Sequence, residues 1–248
     1  MAIEIHFDAV DCAPIDSATV MVLRDGARGL EVLMVRRHGD SGVLGGVHVF
    51  PGGKLDPADM SRPSTGVSAA QVQALAEPVL DAATAAALYL AGVRETWEEC
   101  GLRLDVASLW PWSRWITPRQ PSVTNKRFDT RFFVAAAPDG QEARHDNHEA
   151  TEAVWLTPRQ ALQRYWHGAI DLAPPQIISL SQLARHTQVD GLLEAVWLVD
   201  EKSLCILQVN KAAERLAGLP GSDMVGKPVT SLAATPQDHA FWAEPKAT

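Results

Sequence analysis

Cysteine is scarce in this chain. Cys12, Cys100 and Cys205 are the three among 248 residues, far apart and in no CxxC pair. That spacing suggests neither a disulfide framework nor a zinc site. Positive charge is also short, with 22 Lys and Arg against 30 Asp and Glu and a formal net charge of −8. Nucleic-acid polymers and anionic membranes call for a basic footprint, so neither is an expected partner. Long apolar runs are missing too: no stretch approaches the roughly 18 residues of a membrane span. Met1 to Asp11 carries acidic residues and no apolar run of signal length. The expectation is a reduced, cytoplasmic protein. The 46% hydrophobic content is enough for a substantial core, in one large domain or one medium and one small.

What is present centres on Arg94-Glu95-Thr96-Trp97-Glu98-Glu99-Cys100-Gly101-Leu102, read with Phe50-Pro51-Gly52-Gly53 upstream. Residues three and four apart share a helix face, so Glu95, Glu98 and Glu99 stack their carboxylates on one side. Ala86, Leu90, Val93 and Trp97 recur about opposite and predict the core face. Gly101 is placed to end the helix in a left-handed conformation. Like charges at this spacing cost roughly 0.2–0.5 kcal/mol per pair. Either a hard divalent cation with oxygen ligands compensates, or the face is merely solvated with Arg94 pairing to Glu98.

This segment resembles the Nudix hydrolase signature, G-x5-E-x7-R-E-U-x-E-E-x-G-U, where U is bulky and apolar. Arg94, Glu95, Glu98, Glu99, Gly101 and Leu102 fill its second half, and Thr96 stands where an aliphatic residue is usual. Gly53 fills the opening position, but Arg94 lies 41 positions later instead of 14, an excess of 27. The box is therefore interrupted by an insertion, placed at about residues 54–85. Counted forward from Gly53, the first acidic position falls on Asp59; counted back from Arg94, it falls on Ala86. That residue is either a shortened Asp or absent, and in the family it mostly supports loop geometry.

Upstream, Ser17 to Leu23 and Leu30 to Arg36 read as two strands of a hairpin around Asp25-Gly26-Ala27-Arg28-Gly29. Arg36 and Arg37 end the second strand beside a Gly-rich run and are candidate phosphate contacts, with plain solvation as the alternative. Val47 to Phe50 is a short strand, and Gly52-Gly53 let backbone approach a ligand or metal closely. Within the insertion Pro57, Pro63, Ser64 and Gly66 mark a loop, and Ala69 to Leu80 is helix-prone until Pro78. The insertion is either a surface elaboration or a lid or partner contact. A long helix is predicted from about Asp81 to Gly101. Trp110, Trp112 and Trp115 favour core or interface over a base-stacking platform. Phe128 to Ala137 reads as a strand. Val154 to Leu156 reads as another, followed by a helix capped at Thr157 with Pro158 in its first turn. His145 and His148 lie in a polar loop and read as solvated.

Further segments resemble the coenzyme A diphosphatase branch of the family. They are Val47 to Gly53 with Leu55-Asp56, Trp115-Ile116-Thr117-Pro118, Arg127 to Phe133 and Leu172-Ala173-Pro174-Pro175. The resemblance covers about residues 15 to 185 and implies a Nudix α/β/α sandwich with a mixed sheet. Lys246-Ala247-Thr248 is not the peroxisomal tripeptide of eukaryotic members. The implied activity is metal-dependent hydrolysis of a diphosphate in a nucleoside-linked small molecule, with CoA or acyl-CoA favoured and ADP-ribose or another diphosphate as alternatives. Glu95, Glu98 and Glu99, helped by backbone oxygen near Gly53, would hold Mg²⁺ or Mn²⁺. Glu149 or Glu95 would take the proton of the attacking water, with Glu152 competing for the loop position. Arg94 would orient Glu98.

From about Asp190 to Trp242 the chain resembles the first half of a PAS domain. Two strands, Ala195 to Asp200 and Leu204 to Asn210, precede a helix over Lys211 to Gly218. The alternative is a plain αβ extension. The expected division is a Nudix domain over 1–187 and a partial PAS-like, small α+β extension over 188–248. A half-sheet leaves an open strand edge, so this tail should dock on the first domain or pair with a second subunit in a homodimer. The competing functional reading is an inactive sensor or binding module.

Overall fold

The computed structural model describes residues 9–39, 44–61, 66–75, 80–120, 126–145, 148–189, 197–200, 202–209, 213 and 219–232. Apolar alternation builds the first hairpin, β1 (Ile15–Gly26) and β2 (Gly29–Arg37), in which nearly every central residue is buried. Gly29, at φ 99°, makes the turn. The short strands β3 (His48–Val49) and β4 (Gly52–Lys54) flank Pro51. Then come the helices α1 (Pro57–Ser61), α2 (Ala69–Ala74) and α3 (Ala82–Cys100). Strands β5 (Trp110–Ile116), β6 (Phe128–Ala136) and β7 (Ala150–Leu156) precede helices α4 (Pro158–Trp166) and α5 (Pro174–Leu183).

Seven strands form one mixed sheet in the order β3-β2-β1-β6-β5, with β4 also on β1 and β7 also on β2. Only the central β1–β6 pair is parallel; the remaining pairs of this sheet are antiparallel. Because side chains alternate along a strand, β1 feeds two cores. Ala18, Val20 and Val22 pack with Leu88, Tyr89 and Ala91 of α3, while Met21 and Leu23 pack with Leu180 and Leu183 of α5. The result is the expected three-layer α/β/α sandwich. The three tryptophans of β5 are half-buried against the α4–α5 layer.

One expectation is overturned. Trp97 was predicted to face the core, yet it is 44% exposed. The buried stripe of α3 is Ala85, Leu88, Tyr89, Gly92, Thr96 and Cys100 instead. The apolar Ala86-Leu90-Val93-Trp97 series lies a step round the helix from that stripe. Small residues let α3 sit close to the sheet: a Cβ on Gly92 would meet Val20 Cγ2 at 3.0 Å. Trp97 packs its ring under the Arg103 guanidinium at the surface.

The tail forms a second, two-stranded antiparallel sheet of β8 (Trp197–Val199) and β9 (Ile206–Val209), with its own small core of Ile206, Met224 and Val229. Apart from the helical, buried Ala213, the helix expected over Lys211 to Gly218, the break at Pro78 and residues 233–248 lie outside the described residues. The junction is fastened to the first hairpin. Leu30 donates its N–H to the Thr187 carbonyl at 2.7 Å, and Val189 donates to Asp25 Oδ1 at 2.8 Å.

Candidate functional site

Asp81 caps α3 by accepting from the Thr84 N–H, and Gly101 ends it at φ 69°, donating to the Trp97 carbonyl. Thr96, the polar substitute in the apolar stripe, is fully buried and donates its hydroxyl to the Gly92 carbonyl at 2.8 Å. Buried satisfaction of that kind explains why a hydroxyl is tolerated there. Fixing this stripe against the sheet turns the neighbouring Glu95 and Glu99 towards β4.

The two glycines of β4 receive them. A Cβ on Gly53 would lie 2.2 Å from Glu95 Oε1, so only glycine fits while the carboxylate holds its place. Gly52 donates its N–H to Glu99 Oε2 at 3.0 Å. Glu149, on the loop before β7, completes a trio: one carboxylate oxygen each from Glu95, Glu99 and Glu149 lie within 4.8 Å of one another. The Glu149 carbonyl accepts from the His38 N–H at 2.9 Å, tying that loop to the end of β2. Glu95 and Glu99 are buried, whereas Glu149 is exposed.

Arg94 is the hub beside the trio. Its Nε donates to Asp59 Oδ1 at 2.9 Å and its Nη2 to Asp59 Oδ2 at 2.8 Å, a two-pronged pair with a fully buried carboxylate. Nη2 also donates to the Lys54 carbonyl at 3.1 Å. Nη1 donates to Glu95 Oε1 at 2.9 Å and to Glu98 Oε2 at 2.8 Å. Glu98 therefore turns to Arg94, with its side chain 54% exposed, and stands outside the trio. Asp59 lies at the position reached by counting forward from Gly53.

Burial dominates the electrostatics. It pushes the Glu99 carboxyl up to about 8, against the Gly52 N–H and the Arg37 charge, which pull it down. Burial also raises Glu95, opposed by Arg94. Two crowded carboxyls that resist ionisation are what a hard divalent cation would relieve.

The two basic candidates part company. Arg37 lies close enough for its charge to act on Glu99. Arg36 is in register with Glu152 on β7 and His48 on β3. Glu152 Oε2 sits 3.5 Å from His48 Nε2, so the competitor of Glu149 is engaged there. His48 is buried, which lowers its pKa, against the pull of Glu152. Nothing in the sequence singled it out, because its burial comes from the β2–β3 pairing. His145 and His148 are not members of the trio.

Residues 99–183 match the family model of the NUDT19 Nudix domain, and residues 184–245 match that of the PAS fold. The acyl-coenzyme A diphosphatase NUDT19 of Xenopus laevis is 24% identical, over 65% of this chain and 62% of its own length. The human protein of the same name is 25% identical, over 67% of this chain and 64% of its own. The chain thus spans a little over six tenths of these relatives. Among solved structures, a NUDIX hydrolase from Alicyclobacillus acidocaldarius superposes with a TM-score of 0.60 at 26% identity, covering 73% of this chain and 95% of that one. The sheet order, the glycine-backed carboxylate helix and these matches agree: the chain has the Nudix fold, its residues 99–183 resemble the NUDT19 Nudix domain, and the segment after them resembles the PAS fold.

Proposed function

We propose that this protein is a metal-dependent Nudix diphosphatase that cleaves the diphosphate of a nucleoside-linked small molecule, with CoA or acyl-CoA the favoured substrate. The observation that carries the reading is the trio of Glu95, Glu99 and Glu149, with Glu95 against Gly53 and Glu99 accepting from the Gly52 N–H. The donor set fits a hard cation: three carboxylates, two of them buried and raised in pKa, with Arg94 already engaged by Asp59. Mg²⁺ or Mn²⁺ held by Glu95 and Glu99, with the backbone oxygen near Gly53 beside them, would polarise phosphoryl oxygens and acidify a bound water, and Glu98 would join only by leaving Arg94.

The chain's own residues do the rest. Glu149, the exposed member of the trio, takes the proton of the attacking water, and Glu95 is the alternative base. Arg94 holds Glu95 and Glu98 in place through its grip on Asp59 and does not touch substrate. Arg37 steadies a substrate phosphate beside Glu99, and Arg36 lies further out in that role. The acyl-coenzyme A diphosphatase relatives favour the CoA class.

The test is product release from CoA, an acyl-CoA and ADP-ribose with Mg²⁺, Mn²⁺ or a chelator. Turnover that needs metal supports the reading; no turnover of these substrates or a dinucleotide panel with either metal defeats it. The PAS match supports the second reading, a sensor or binding module. Tight metal-dependent substrate binding without cleavage would favour that one. A homodimer through the C-terminal segment is part of the proposal, checked by the mass of the full chain in solution.

A further inference from the structure

The chain added inside the Nudix box is held between two other parts of the molecule. Its helix α2 has six residues, too few to be stable alone, so its position depends on what it touches. Ser68 and Gln71 close a reciprocal cap at its start. Below, Leu75 is buried in the α3-side core, with Val72 packed against it. Tyr89 of α3 donates its hydroxyl to the Gln71 carbonyl at 3.0 Å in a buried hydrogen bond, and Gln71 Nε2 donates to the Val106 carbonyl at 2.8 Å. Alongside, α2 meets strand β9 of the C-terminal sheet. The path therefore runs from β9 to α2, through Gln71 to Tyr89, and along α3 to Glu95 six residues on, about 9 Å at helical rise.

We propose that Gln71 and Tyr89 are positioning residues that tie the placement of Glu95 and Glu99 to the state of the C-terminal PAS-like sheet. The functional meaning of that tie rests on the trio being the hydrolytic site. A loosened β9 leaves α2 with one support fewer. Tyr89 then passes the change to the helix that presents the carboxylates. Tyr89 is itself wedged against Phe133, with ring centroids 4.6 Å apart, so a shift at its hydroxyl moves α3 against the sheet. The insertion is thereby a coupling element and not a mere surface elaboration.

The experiment is amide hydrogen exchange on the full chain, free of metal and substrate, so a failed hydrolysis assay leaves it interpretable. Ile206→Ala, within β9, and the milder Val229→Ala, outside it, loosen the C-terminal core and alter no residue of α2 or α3. Both should speed exchange in residues 68–75 and in 89–100 by roughly two- to tenfold, the range one buried hydrogen bond is worth. In a Tyr89→Phe background the response of residues 89–100 should vanish while that of 68–75 remains. Manganese affinity should follow the same pattern, weakened by Val229→Ala only when the Tyr89 hydroxyl is present. Faster exchange confined to residues 197–232 would overturn the proposal. So would a response of α3 that is unchanged by removing that hydroxyl.

Discussion

Replacing Glu99 by Gln removes a charge and keeps an oxygen that can still accept from the Gly52 N–H, now 3.0 Å away. Burial holds the Glu99 carboxyl at about 8, against 4.5 in the unfolded chain. A carboxyl raised in this way keeps its proton longer in the folded state than in the unfolded one. Its contribution therefore favours the fold below about 4.5 and is lost as pH climbs towards about 8. With tenfold in proton binding per pH unit, metal-free wild type should lose roughly 3 kcal/mol between pH 5 and 7 through this group. Glu99→Gln lacks that dependence, so it should be the more stable protein at pH 7 without metal, by about 3 kcal/mol. Glu95 is raised by its own burial in both proteins, and its charge also helps to raise Glu99, so the difference reports on the pair. Denaturant titration in chelator from pH 5 to 8 measures the curve. Adding Mn²⁺ at about 100 times its Kd should stabilise wild type by about 2.7 kcal/mol and the variant far less, and turnover of the variant should fall by orders of magnitude. Parallel pH curves together with equal Mn²⁺ stabilisation in the two proteins would refute both the buried charge and its metal role.

Three further outcomes are expected. Gly53→Ala puts a methyl into the place of the Glu95 carboxylate; the flexible end of that side chain yields, so the melting temperature should barely move while turnover falls about a hundredfold. A large loss of stability with normal activity would show that Glu95 is not held there. Asp59→Asn breaks the buried pair with Arg94 and should cost about 3 kcal/mol, with weaker metal binding as Arg94 drags on Glu95 and Glu98; unchanged denaturation midpoints would contradict this. Arg37→Ala should raise KM for the diphosphate substrate about tenfold and, because Arg37 pulls Glu99 down, shift the Glu99 titration further up, whereas Arg36→Ala should do neither. Equal effects of the two variants would remove the distinction between them.

The sequence alone determined a good deal. Local periodicity placed the β1–β2 hairpin, the long helix from Asp81, its stop at Gly101 and the cap at Thr157, because such features depend on neighbours along the chain. Signature spacing brought Gly53, Arg94, Glu95 and Glu99 into one argument and offered Asp59 as one of two positions for the missing acid. What spacing could not decide was which partner each side chain finds. Glu98 shares a helix face with Glu95, but Arg94, anchored by Asp59, draws it away, and Glu149 reaches the trio only because β7 pairs with β2. Trp97 misled because an apolar series on a helix gives a face and not its rotation against the sheet; the close approach of Gly92 to Val20 set that rotation. Arg36 and Arg37 are neighbours in sequence, yet the strand alternation and a bulge between them send them to different surroundings. The meeting of α2 with β9 joins segments more than a hundred residues apart, and contacts of that range exist only once the chain has folded.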